Sequence, residues 1–154
     1  GRNWQKGYGW IDTPRTQAVY GFLRDAGELR LSSCRIQSSS EFAVICMSSL
    51  SQQIIEEAEF LLLTAVGPCD NTEAQYSSDG RRQLSFGRAP VLIEPIAADI
   101  ALRTRHPHLK VWVISDHGEA VTRLPTRYRK GYLHFQIGPQ PPCNPSTIYY
   151  LIRL

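Results

Sequence analysis

Apolar residues in this chain recur at every second position over short stretches, and almost no segment carries a helical period. Strands are predicted at 8–11, 17–23, 28–31, 34–38, 42–48, 59–66, 91–96, 99–103, 110–115, 120–124, 132–137 and 147–153. Turn chemistry fills the breaks: Asp25-Ala26-Gly27, Gly67-Pro68, Asp79-Gly80, His106-Pro107, Asp116-His117-Gly118, Gly138-Pro139 and Pro141-Pro142. The one helix candidate, "SQQIIEEAEF" at 51–60, has Ser51 as a cap and room for about one turn. Short strands with no helices between them predict an all-β fold, a jelly-roll-like antiparallel sandwich of two sheets with little or no helix. They exclude a βαβ architecture. A length of 154 residues suits a single domain, 1–154, with a full hydrophobic core.

The alternation also assigns faces. In "GYLHFQIG", Leu133, Phe135 and Ile137 share the buried face, and Tyr132, His134 and Gln136 share the other. Tyr8 and Trp10 point together, opposite Gly9 and Ile11. "FAVICMS" and "FLLLTAV" are apolar on both alternations and are expected at the centre of the core, with Cys46 as a small buried hydrophobe. "KVWVIS" reads as buried on both faces, which puts Trp112 in the core. "DTPRT" interrupts two strands; Pro14 cannot donate to a ladder, so a rigid corner is expected, with Arg15 paired to Glu94 or Asp12.

Composition narrows the function classes. An apolar fraction of 42% with 20% charged residues describes a globular chain and not a disordered one. The net charge of +3 is mild, and the tightest basic group, Arg123, Arg127, Arg129 and Lys130, reads as a solvated loop, so no nucleic acid is expected as a partner. No apolar run approaches the roughly 18 residues of a membrane span, so no membrane partner is expected either. The chain opens in mid-pattern with "GRNWQKGYGW", as a domain excised from a larger protein would. Four cysteines form no CxxC pair; Cys69 and Cys143 stand in Pro-flanked loops where a bridge is sterically feasible, and their redox state is left open.

Motifs for catalysis are missing: there is no GxSxG, HExxH, P-loop or dinucleotide fingerprint. His106-Pro107-His108 lacks the carboxylate a metal set would need, and Asp116-His117 reads as a turn. No catalytic residue, metal ligand or cofactor is therefore predicted, apart from a structural Ca²⁺ that Asp70-Asn71-Thr72-Glu73 leaves open. Glu94, set among apolar residues, is expected to be inward and structural, without a second acid to make a glycosidase pair. Aromatic residues are in surplus, with three Trp, seven Tyr and five Phe. Sugar rings stack on aromatic planes while polar side chains bond the hydroxyls. Trp4, Tyr8 and Trp10 form the first candidate carbohydrate site, and Tyr132, His134 and Gln136 the second.

An ordered series of blocks carries a family resemblance: "IDTPRTQAVYGFL", "FAVICMSSL", "EFLLLTAVGPCDNTEAQY", "FGRAPVLIEPIAADIAL" and "STIYYLIRL". The series resembles the small β-sandwich accessory domain that follows the catalytic (β/α)₈ barrel in microbial glycoside hydrolases of the cellulase and β-galactosidase kind. Phe86 and Tyr76 stand where such domains carry aromatics. The resemblance implies a non-catalytic, carbohydrate-binding or accessory module of a secreted bacterial polysaccharide-degrading enzyme. Its partners would be a poly- or oligosaccharide and the catalytic barrel of the same parent chain. A purely structural sandwich that braces the barrel is the alternative it implies.

Overall fold

The computed structural model of the chain describes residues 1–139 and 147–154. The first half is β1 (Arg2–Asn3), β2 (Tyr8–Asp12), β3 (Thr16–Phe22), a 3₁₀ turn (Arg24–Ala26), β4 (Leu29–Arg30), β5 (Cys34–Ser38), β6 (Phe42–Ser49) and β7 (Phe60–Val66). An excursion follows: β8 (Cys69–Thr72), β9 (Gln75–Tyr76), β10 (Gln83–Ser85) and β11 (Arg88–Ile93). The remainder is β12 (Ala98–Arg103), β13 (Lys110–Ile114), β14 (Ala120–Leu124), β15 (Arg127–Arg129), β16 (Tyr132–Ile137) and β17 (Tyr149–Arg153).

Two antiparallel sheets make the expected sandwich. One has eight strands in the order β1-β2-β3-β6-β7-β17-β13-β14, and the other has five in the order β15-β16-β12-β5-β4. Alternation turns Ile45, Met47, Leu61, Leu63, Val111 and Ile152 inward from the larger sheet. Ile36, Ile100, Leu102, Leu133 and Phe135 meet them from the smaller one. All of these side chains are fully or almost fully buried in one continuous core. Cys34 lies in it too, and burial, with Asp12 nearby, pushes its thiol well above the ordinary range, so it stays protonated.

The segment expected to form a helical turn is a reverse turn. Glu57 N donates to Ile54 O, Gln53 N donates to Ser51 Oγ, and Ile55 N is taken by Pro14 O (2.9 Å), a long-range bond that leaves no helical ladder. Ile55 and Ala58 plug the end of the core. "DTPRT" is the loop of the β2–β3 hairpin, the connection between the two strands it was expected to interrupt. Thr13 closes it, with its N and Oγ1 both donating to Thr16 O and its Oγ1 accepting from Thr16 N. The expected Arg15 ion pair does not form. Arg15 is exposed and its Nη1 donates to Gln52 Oε1 at 2.9 Å. Asp12 instead accepts from Ser32 N and Oγ, and Glu94 is solvent-exposed.

These placements predict opposite energetics for two truncations. Leu63→Ala, at a fully buried site, should lower the unfolding free energy in urea by about 3 kcal/mol. Arg15→Ala should stay within about 0.5 kcal/mol of the parent. A loss at Arg15 as large as that at Leu63 would mean that a buried partner has been overlooked.

Candidate functional site

The outer face of the five-stranded sheet is polar and basic. Register sets it out strand by strand: Arg127 and Arg129 on β15 stand opposite His134 and Tyr132 on β16. His134 and Tyr132 stand opposite Ala101 and Arg103 on β12, and Ala101 in turn opposite Arg35 on β5. The second sequence-predicted group therefore does share one face. Gln136 Nε2 donates to Asp99 Oδ1, its cross-strand neighbour, and Tyr132 and His134 have ring centroids 6.2 Å apart. Sequence reasoning missed what covers Tyr132. The Arg35 guanidinium lies 4.4 Å above its ring centroid, and Nη2 donates to the phenol oxygen at 3.1 Å. One plane of the ring is thus occupied by a cation. Also missed was the basic edge: "TRYRKG" is not a loop but β15 and its turn, with Tyr128 anchored by its hydroxyl to Thr104 O. The alternation of Arg127 and Arg129 around Tyr128, followed by Lys130-Gly131, was the available signal. Arg123, grouped with these residues in sequence, belongs to β14 of the other sheet.

The first predicted group does not assemble into a flat platform. Trp4 sits on the β1–β2 turn, 76% exposed, with the Arg2 guanidinium 4.1 Å from its ring. Tyr8 and Trp10 are opposite Gly21 and Val19 on the inner side of the larger sheet, half-buried against the core and tilted 39° from each other.

The outer face of the larger sheet is apolar. Tyr20, Phe22, Phe42, Val44, Phe60 and Tyr149 are 38–54% exposed there, and half-buried Leu62, Leu151 and Trp112 run between them. Phe22 and Phe42 meet edge to face at 5.4 Å. Trp112 is thus a surface-layer residue with Arg153 over its ring, not the core residue expected, and Cys46 likewise faces outward beside Ser48. Their strands are apolar on both alternations because both sheet faces are apolar, and among the described residues only one of them is covered.

The excursion between β7 and β12 forms an arm of two ribbons, β8 with β11 and β9 with β10. The predicted strand 91–96 is displaced to Arg88–Ile93, and all six of its residues are exposed. Arg88 clamps Glu73 bidentately at 2.8 and 2.9 Å, Asn71 Nδ2 donates to Phe86 O, and Thr72 Oγ1 donates to Pro90 O. A hydrogen bond to Asp70 raises the Tyr76 hydroxyl above its usual range. The four residues 70–73 are thus engaged in the arm itself, and no group of three or more metal-ligating side chains occurs among the described residues. Cys69 is exposed, and its pairing with Cys143 falls outside the described residues.

Between the arm and the edge of the larger sheet runs a cleft of about 570 Å³, lined by Val91, Ile93, Val121 and Tyr149 and flanked by Glu94 and Asp116. Two carboxylates at one cleft invite a hydrolytic reading. Both are solvent-exposed, Asp116 with 86% of its side chain exposed beside His117. His106 Nε2 donates to Glu57 O at 2.9 Å and serves as a brace between loops; His108 is exposed.

Compared with family models, with curated proteins and with solved structures, the chain matches none.

Arg88 holds the Glu73 carboxyl below its ordinary range. Because the folded group titrates lower than the unfolded one, the pair supports the arm at neutral pH, and that support is lost as pH falls through the lowered value. An NMR titration should find Glu73 below the ordinary glutamate range, and Arg88→Ala should return it there. Equal midpoints in the two proteins would contradict a populated pair.

Proposed function

We propose that this chain is a non-catalytic accessory module of a polysaccharide-degrading glycoside hydrolase, docked through one face of its sandwich and offering the other to carbohydrate. The single observation that carries this reading is the opposite chemistry of the two outer faces. Side chains such as Phe22, Phe42, Phe60 and Tyr149 leave an apolar surface on the order of several hundred Å² on the larger sheet. Surfaces of that size and character belong at interfaces, and a second domain laid on the sheet would bury them. The block resemblance names that domain as a (β/α)₈ barrel of the same parent chain, and implies secretion with it.

Tyr132, His134 and Gln136 on the other sheet supply hydroxyl, imidazole and amide groups in one plane, suited to sugar hydroxyls. With Arg35 over Tyr132, this face works by hydrogen bonds and charge more than by ring stacking. Trp4, Tyr8 and Trp10 are the weaker candidates, since the last two pack against the core. The rival function, a brace without glycan affinity, is favoured by the same apolar face and differs only in what the polar face does.

Two measurements separate the parts of this reading. Hydroxyl-radical footprinting should find Phe42, Phe60 and Tyr149 reactive in the isolated chain and protected when it is joined to the barrel of its parent enzyme; equal reactivity in both would remove the docking face. Native affinity gels containing cellulose derivatives, xylan, mannan, β-glucan or uronate polymers should retard the chain on at least one. Retardation on none would leave the brace.

A further inference from the structure

We propose that the outer face of the five-stranded sheet binds an acidic, uronate-bearing polysaccharide, with Arg35, Arg127 and Arg129 as its carboxylate-binding residues. This rests on the reading above that the face takes carbohydrate, and goes beyond it by naming the class.

The charge on this face is mostly positive once its ion pairs are removed. Arg30 is held by Glu28 at 2.6 Å and Arg103 lies 3.6 Å from Glu56. Asp99, which accepts from the neutral Gln136 amide, keeps one negative charge at one end. Arg35, Arg127 and Arg129 have no carboxylate partner among the described residues, and Lys130 adds a fourth cation in the β15–β16 turn. Arg2, Arg15, Arg81, Arg82, Arg123 and Arg153 also lack a carboxylate partner among the described residues, but they are spread over the arm, the other sheet and its loops, whereas Arg35, Arg127 and Arg129 share one sheet face. Guanidinium groups match carboxylates bidentately, with more directionality than an ammonium.

Geometry suits an extended polymer. Arg127 and Arg129 are two positions apart on one strand, so they point the same way about 7 Å apart. Arg35 starts on β5, three strand spacings or roughly 14 Å from β15, and its side chain crosses β12 to put its guanidinium over Tyr132, the cross-strand partner of Arg129. Ala101, directly opposite both His134 and Arg35, is only 9% exposed beneath these longer side chains. The three guanidinium groups therefore gather over β15 and β16, where a polymer running along these strands would meet them beside His134.

The same features disfavour nucleic acid. Single strands are held on free aromatic planes, whereas the Tyr132 ring on this face already carries Arg35, which leaves the small His134 imidazole beside it. A flat sheet face offers no helix or ribbon to enter a duplex groove. A neutral glycan could accept hydrogen bonds from the unpaired arginines but would leave their charge without a counter-ion.

The test is native affinity electrophoresis of the whole chain in gels containing polygalacturonate, alginate, xylan or β-glucan, with a parallel shift assay on a single-stranded DNA oligonucleotide. Expected is retardation on the uronate polymers, with apparent affinity lowered about tenfold in Arg127→Ala/Arg129→Ala and also in Arg35→Ala. Arg127→Lys/Arg129→Lys should fall between. Arg81→Ala/Arg82→Ala on the arm removes the same charge and should change nothing. Arg127 and Arg129 are exposed edge residues, so the double variant should keep its circular dichroism and melting point; if it does not, Lys130→Ala, in the turn, provides a second reading with a smaller loss. Retardation on xylan or β-glucan alone would overturn the acidic class and leave the carbohydrate reading standing. Retardation on none of the glycans would overturn both. Tighter binding to DNA than to either uronate polymer, or equal loss from the Arg81/Arg82 variant, would also overturn the proposal.

Discussion

An eight-stranded sheet covered on one side by a five-stranded sheet is the constraint on which everything else depends. Strands β6 and β7 carry apolar side chains on both alternations, but a two-layer sandwich buries only one of them. Ile45, Met47, Leu61 and Leu63 enter the core, while Val44, Phe42, Phe60 and Leu62 look outward. Antiparallel sheets that face water usually alternate apolar with polar, and strands apolar throughout belong between two layers. The larger sheet therefore has the sequence of a middle layer and the position of an outer one.

The smaller sheet shows the opposite pattern. β16 alternates cleanly between buried Leu133, Phe135 and Ile137 and solvated Tyr132, His134 and Gln136. Its outer surface is finished, with Gln136 bonded to Asp99 and Tyr132 covered by Arg35. What remains unspent there is charge. In the proposed function the two surfaces divide the work of an accessory module: apolar area for attachment, and guanidinium groups for a soluble ligand.

The fold was legible because strand alternation and turn chemistry act locally. Each of the twelve predicted strands has a counterpart, and β16 was assigned face by face. The two-residue β1, the arm strands β8 to β10 and the edge strand β15 escaped, since they are too short or too polar to show alternation. The faces of doubly apolar strands were legible only in part. A run such as "KVWVIS" says that both sides avoid water, not that both sides are covered by this chain, so Trp112 was assigned to the core wrongly. Long-range pairings were not legible at all. Arg15 meets Gln52 instead of a carboxylate, and Arg35 reaches Tyr132 across 97 positions, because register between distant strands decides such contacts. The candidate site was therefore half visible: its aromatic and amide groups were read from one strand, and its arginines belong to two others.

The most direct test of a sheet with one used and one unused apolar face lies in two adjacent residues of β6. Val44 is 38% exposed on the outer face and Ile45 is fully buried on the inner. Equilibrium unfolding in urea should leave Val44→Thr within about 0.5 kcal/mol of the parent, whereas Ile45→Thr should lose about 3 kcal/mol by burying a hydroxyl in a close-packed core. Comparable losses at the two positions would mean that the outer face is part of a closed core, and would contradict the account.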